Sequence, residues 1–247
     1  MPRRSRIMLP DVPVHVIQRG NNRSACFVTD EDRSFYLFHL SRYLSRSDCE
    51  LHAYCLMTNH VHLLLTPKHH NSCGELMKSV GQLHSQYVNR TYRRTGTLWE
   101  GRFRSCLVQS EAYVLACYRY IELNPVRAGI VDTPTNFRWS SYPTNAFGEP
   151  NASITPHPDY LRLGRTMEER RLSYIEFVAS TANEFDEIRS ATNGGYALGD
   201  ESFRRRMAHA LGRRVEKGRP GRPARTTQGD DAQGELSLQT PKNVVCP

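Results

Sequence analysis

LHAYCLMTNHVHLLLTP, from Leu51 to Pro67, contains two apolar runs separated by Thr58 and Asn59 alone. So short a connection predicts an antiparallel hairpin, Leu51–Met57 against His60–Thr66. Thr-Asn is not the favoured Asn-Gly pair, and the turn type stays open. Alternation along the second strand places His60, His62 and Leu64 on one face, with Val61, Leu63 and Leu65 on the other. Two imidazoles about 6.6 Å apart along a strand can converge on one ion. Imidazole suits Zn, Mn, Fe, Cu or Ni, and an added oxygen ligand shifts the preference toward Mn or Mg. Taken alone, an HxH pair more often marks two ordinary histidines of a half-exposed face.

Upstream, PVHVIQ (Pro13–Gln18) alternates and is β-branched, which predicts a strand, and RGNNR (Arg19–Arg23) has the Gly-Asn chemistry of a turn. Thr29 or Asp30 is expected to cap a helix over Glu31–Ser45, whose apolar side carries Phe35, Leu37, Phe38, Leu40 and Leu44. Downstream, Ser72 with Glu75 predicts a capping box for a helix reaching about Tyr92. Gly96–Gln109 reads as a loop and an extended stretch. Ser110 is expected to cap a helix from Glu111 to about Asn124, where Pro125 limits its continuation. The order β-α-β-β-α-β-α predicts an α+β fold, with helices packed on an antiparallel sheet. Beyond residue 131, Trp139-Ser-Ser-Tyr142 reads as an ordered docking segment and Pro143–Pro158 as turn-rich. Glu168–Ser180 and Phe203–Leu211 read as helices, and the polar tail from Gln228 is expected to be disordered.

Charge points to a partner. Lys+Arg total 33 against 25 Asp+Glu, and only four of the 33 are lysine. Arginine's planar fork matches phosphate oxygens and base edges and stacks on rings. A basic, arginine-weighted chain fits a nucleic-acid partner, although a GC-rich genome also favours arginine codons. The seven cysteines are irregularly spaced with no CxxC pair, which argues against a disulfide framework and a structural zinc site. The basic start lacks the apolar core of a signal peptide, and no run approaches the roughly 18 apolar residues of a membrane helix. These features predict a reduced, soluble, cytoplasmic protein without a membrane partner.

Tyr120 and Asn124, in YIELN, are four residues apart and share one helix face. If that face packs over the histidine face of the sheet, a phenol and a third ligand reach the same ion. The competing reading of Tyr120 is a core aromatic with its hydroxyl on backbone. Tyr118 lies about 200° around the helix from Tyr120 and cannot share a face with Asn124.

Taken together, MTNHVHLLLTP, LWEGRF and YRYIELNPVRAG resemble the REP-associated tyrosine transposases, members of the HUH single-tyrosine superfamily of insertion-sequence origin. The resemblance runs from about Val14 through Tyr142 and includes RGNNR and WSSY. It implies a ferredoxin/RRM-like HUH domain over residues 1–142. Here that domain is followed by a helical basic extension over 143–227 and a disordered tail over 228–247. It further implies that His60 and His62 are metal ligands, Asn124 a third ligand and Tyr120 the nucleophile. The cofactor is then Mg2+ or Mn2+, and the substrate single-stranded, hairpin-containing DNA, nicked and rejoined through a 5′-phosphotyrosine. Relatives occur as monomers and as dimers, so the resemblance leaves oligomeric state open. The chain continues past the length of shorter relatives with Asn193-Gly-Gly-Tyr-Ala-Leu-Gly199, like one longer subgroup. The non-enzymatic alternative is a domesticated DNA-binding protein without turnover.

Basic and aromatic residues interleave around Trp99, with Arg102 and Arg104 following it, as phosphate contact plus base stacking requires. Trp99 reads equally as a core anchor among solvated arginines. Arg19, Asn21, Asn22 and Arg23 are candidate base readers beside the cleavage site. In the tail, Arg219 and Arg222 of GRPGRP resemble minor-groove hooks and fit backbone binding.

Overall fold

Strand β1 (Val14–Arg19) leads through a 3-10 turn (Asn21–Arg23) into helix α1 (Asp30–Arg46), then β2 (Cys49–Met57) and β3 (His60–Pro67). Helix α2 (Ser72–Thr91) and β4 (Arg104–Val108) follow. Next come α3 (Val114–Glu122), α4 (Asn124–Arg127), α5 (Tyr142–Phe147), α6 (Pro158–Leu161), α7 (Met167–Ala179) and α8 (Phe185–Gly194). Strand β5 (Ala197–Leu198) and α9 (Glu201–Leu211) complete the order. This computed structural model describes residues 5–111, 113–180 and 184–218; Arg219, Arg222 and the tail from Gln228 lie outside the described residues.

The strands form one sheet in the order β2-β3-β1-β4-β5. The fold is α+β, and the hairpin closes over Thr58-Asn59 with Met57 opposite His60. One expectation needs correction: the sheet is mixed, because β5 pairs in parallel with β4. A parallel neighbour requires a long crossover, and the chain between Val108 and Ala197 supplies it through α3 to α8.

Strand alternation sorts the side chains onto two cores. Val14, Val16, Val61, Leu63 and Leu65 face α1 and α2, meeting Tyr36, Leu40, Leu76 and Val80. The opposite face carries Ala53, Cys55, Leu64 and Cys106 against Val114, Tyr118, Tyr174 and Ile188 of α3, α7 and α8. Each such aliphatic side chain contributes roughly 1.5–3 kcal/mol on burial, so a one-residue slip of β3 would exchange two histidines for three core residues. That penalty fixes the register.

Local signals were partly right. Thr29 is the cap of α1, and Asp32 accepts from Val28 N at 2.7 Å and Thr29 N at 3.1 Å. The capping box expected at Ser72 is absent: Asn71 is the cap, and Ser72 Oγ instead accepts from His69 N at 3.1 Å. Helix α3 begins at Val114, not Glu111, because Glu111 has φ 66° and its N–H is held by Asp159 Oδ2 at 2.7 Å. A left-handed residue cannot start a right-handed helix. Pro125 does not end the helical path; it lies in the first turn of α4, where a missing N–H is harmless. The WSSY segment docks on β2, with Leu56 N donating to Trp139 O at 2.9 Å and Ser141 N to Tyr54 O at 3.0 Å.

Candidate active site

The antiparallel register of β1 and β3 sets Arg19 opposite His60 and Ile17 opposite His62. The two histidine rings are 4.9 Å apart on the α3/α8 side of the sheet. His60 Nδ1 lies 2.6 Å from Asn59 Oδ1. The amide of Asn59 is oriented by its own donation to Arg23 O at 3.1 Å, so the carbonyl oxygen faces the ring. His60 therefore carries its proton on Nδ1 and keeps a lone pair on Nε2, as a metal ligand must. His62 uses Nδ1 against His15 Nε2 at 3.0 Å.

Burial and charge keep these rings neutral. Burial, aided by the Arg19 charge, pulls His60 down to about 4. His62 is only 2% exposed and lies well below the usual imidazole value, through burial and then the neighbouring His60, His15, Arg19 and Arg127. His15 is brought down to about 3 by burial.

Helix α3 brings the phenol. Tyr120 is 4% exposed, with its ring 5.7 Å from that of His62 and 5.5 Å from that of His15, edge-on to both. Burial raises the phenol's pKa, while a hydrogen bond and charge from Arg127 lower it. Tyr118 points elsewhere, its hydroxyl accepting from His157 N at 3.3 Å and its ring stacked on Tyr160. Asn124, one turn beyond Tyr120, donates from Nδ2 to Tyr120 O at 2.7 Å. That anchor leaves Oδ1 as its acceptor atom. Among the described residues no group of three or more His, Cys, Asp or Glu could hold a metal. Were His60, His62 and Asn124 to hold a cation, two imidazoles plus an oxygen would suit Mg2+ or Mn2+ better as oxygen ligands increase.

Four further residues border this centre that were not named as candidates, although Arg127 lies within the quoted YRYIELNPVRAG. His15 and Arg127 are joined by Phe185, whose ring lies 5.7 Å from Tyr120, and Thr192, whose Oγ1 lies 2.8 Å from His15 Nδ1. For His15 a signal existed too: alternation in VHVIQ puts it on the same face as Ile17 and Arg19.

The candidate DNA contacts divide. Arg19, Arg102 and Arg104 line a cleft of about 460 Å³ with Arg6, Thr192 and Asn193–Gly195. Glu100 is the one acidic side chain lining it. Asn22 and Arg23 are exposed, with φ of 51° and 60°, and Asn21 is half-buried. Trp99 commits its indole N–H to Gly81 O at 3.0 Å and packs on the α1/α2 core.

Glu122, inside YIELN, is fully buried and accepts from Ser141 Oγ, from Asn145 Nδ2 at 2.7 Å and from Tyr174 OH at 2.6 Å. It ties α3 to the WSSY segment and to α7. Burial raises its pKa to about 7 against those three bonds. Among the described residues no helix is long and apolar enough to cross a membrane.

Residues 9–124 match the family model of IS200-like transposases. Among solved structures, a REP-associated tyrosine transposase bound to a REP hairpin is similar, with 12% identity over 64% of this chain and 99% of that chain and a TM-score of 0.52. A transposase structure from Deinococcus radiodurans is 21% identical over 47% of this chain and 91% of that chain, with a TM-score of 0.35. No curated protein matches the chain. At its low identity the first neighbour speaks for the fold alone: residues 9–124 are similar in sequence to IS200-like transposases, and the chain shares the fold of a REP-associated tyrosine transposase.

Proposed function

We propose that this domain nicks and rejoins single-stranded DNA through a covalent link to Tyr120, at REP-like hairpins. His60 and His62 would hold Mg2+ or Mn2+, with Asn124 Oδ1 as the third protein ligand. Bound there, the cation neutralises a non-bridging phosphate oxygen and makes the phosphorus a better electrophile. The observation that supports this reading is the Tyr120 ring packed 5.7 Å from His62, which sets one phenol beside the paired imidazoles.

In the forward step Tyr120 gives up its proton and its oxygen bonds to phosphorus. The P–O3′ bond breaks, and the departing oxygen takes up a proton. A 5′-phosphotyrosine and a free 3′-hydroxyl result. A second 3′-hydroxyl attacking that link releases the phenol and joins strands without ATP, because the phosphate ester is conserved. Arg127 steadies the phenolate as it forms. One tyrosine holds one strand at a time.

A buried phenol is reached more easily by an unpaired strand than by a duplex. Arg19, Arg102 and Arg104 are the residues we assign to its backbone, and Asn21, Asn22 and Arg23 to bases near the cut. Trp99 anchors the segment bearing Arg102 and Arg104. Arg219 and Arg222 add backbone contacts from the basic extension. Residues 1–142 carry the nucleophile and the metal ligands, and residues 143–227 the extension.

A denaturing gel with labelled hairpin DNA tests this. The expected result is a Mg2+- or Mn2+-dependent protein–DNA adduct that Tyr120→Phe abolishes. Binding with no adduct in either metal would support a DNA-binding protein without turnover. Released fragments with no adduct would mean hydrolysis.

A further inference from the structure

The histidine face of the sheet ends in a chain of hydrogen bonds that leaves the matched domain. Thr192, in α8, donates its hydroxyl to Ile188 O at 2.8 Å. A carbonyl can only accept, so the Thr192 hydrogen points back along its own helix. Thr192 Oγ1 is then an acceptor toward His15 Nδ1 at 2.8 Å. Cys106 Sγ, 3.1 Å away, adds a second donor to that oxygen. A neutral imidazole has one N–H. With that hydrogen on Nδ1, His15 offers a lone pair at Nε2, and His62 Nδ1 at 3.0 Å must be the donor. The remaining ring nitrogen of His62, Nε2, keeps its lone pair.

The opposite direction is disfavoured by the same atoms. If the Thr192 hydroxyl donated to His15 instead, Oγ1 and Ile188 O would face each other at 2.8 Å with no hydrogen between them. Two acceptors so placed repel each other, in a region where Thr192, His15 and Cys106 are all inaccessible to water. His60 reaches the same tautomer by a separate route through Asn59 and Arg23 O. Both imidazoles thus present the same nitrogen, and only His62 depends on residues after 124 to do so.

We infer that His15 and Thr192 are positioning residues that fix His62 as a metal ligand, which makes α8 part of the metal centre. This rests on the proposed reading of His60 and His62 as metal ligands. Outer-shell partners of ligating histidines alter metal affinity by about 10–100-fold.

Two measurements on the full chain test it. Long-range 1H–15N spectra of the metal-free, 15N-histidine-labelled protein report each ring's tautomer. The Nδ1–H form is expected for His15 and His62, and an Nε2–H form at His62 overturns the proposal. Mn2+ affinity, read by the loss of free-ion EPR signal, should fall about tenfold or more in Thr192→Val and recover in Thr192→Ser, which restores the hydroxyl. Unchanged affinity in Thr192→Val overturns the positioning role. The double variant His60→Ala/His62→Ala separates the two readings: if it binds Mn2+ as the wild type does, the metal reading fails whatever the spectra show. Should Thr192→Val not fold, the wild-type tautomers decide alone.

Discussion

The Arg127 guanidinium lies 5.0 Å above the Tyr120 ring and 4.5 Å from that of Phe185, holding a positive charge against the one phenol that faces the paired histidines. Burial pushes this phenol's pKa up, and a hydrogen bond and charge from Arg127 pull it down. Replacing Arg127 by Gln should therefore slow adduct formation and move the rising limb of its pH–rate profile to higher pH. Buried donors to a developing oxyanion are worth 10²–10³ in rate. Arg127 is exposed, and screening reduces this to an expected factor of about 10–100. A Gln variant with the wild-type profile would remove Arg127 from the chemistry.

Tyr118 offers the matching control. Its ring is buried between Tyr160 and Tyr174, and its hydroxyl accepts one long bond from His157 N. Tyr118→Phe should leave adduct formation unchanged while costing about 0.5–1.5 kcal/mol of stability. In a unit of this size that is a fall of a few degrees in melting temperature. Loss of cleavage in Tyr118→Phe would mean that the wrong phenol has been chosen.

The cleft arginines make a prediction in salt rather than rate. Each phosphate contact to a single strand contributes about 0.7 to the slope of log affinity against log salt. Arg104→Gln and Arg6→Gln should each lower the slope for a hairpin with a single-stranded tail by about that amount. Neither should change the slope for a hairpin without a tail. Truncation after Gly218, which removes Arg219 and Arg222, should lower the slope for both DNAs. A longer deletion is a poor probe, because Phe203 and Val215 are core residues. An unchanged slope on the tailed substrate would take the cleft out of the DNA path.

These residues also mark how far the chain could be read before it folded. Period-two alternation in β1 and β3 exposed the sheet, the hairpin and the shared face of His60 and His62, because a two-residue spacing is set by backbone geometry alone. Tyr120 and Asn124 read as one face of one helix, whereas Tyr120 lies in α3 and Asn124 opens α4. His15 was legible only as a face, since a lone strand histidine reads as core until its partners are known. Thr192 and Phe185 were out of reach. Helix α8 was not among the expected helices, and its placement over β1 and β4 is a tertiary fact, with Thr192 177 residues removed from His15. The parallel strand β5 was hidden for a related reason: two residues carry no periodicity.

Glu122 makes the sharpest demand on pH. Its carboxyl is raised to about 7 by burial, above its usual 4.5, despite the bonds from Ser141, Asn145 and Tyr174. A carboxyl raised on folding favours the native state in its protonated form. Its contribution is complete below about pH 4.5 and is lost as pH rises toward and through about 7. The buried imidazoles of His52 and His84, each brought to about 4 by burial, work the other way and lose stability as pH falls below about 6.5. Glu122→Gln removes the first effect and leaves the second. Compared with the wild type, the variant should gain relative stability as pH rises from 5 to 8, by an amount on the order of 2 kcal/mol. Paired urea melts at several pH values measure this difference directly. A difference independent of pH would show that Glu122 ionises in the folded protein as it does in the unfolded chain, held charged by its three donors.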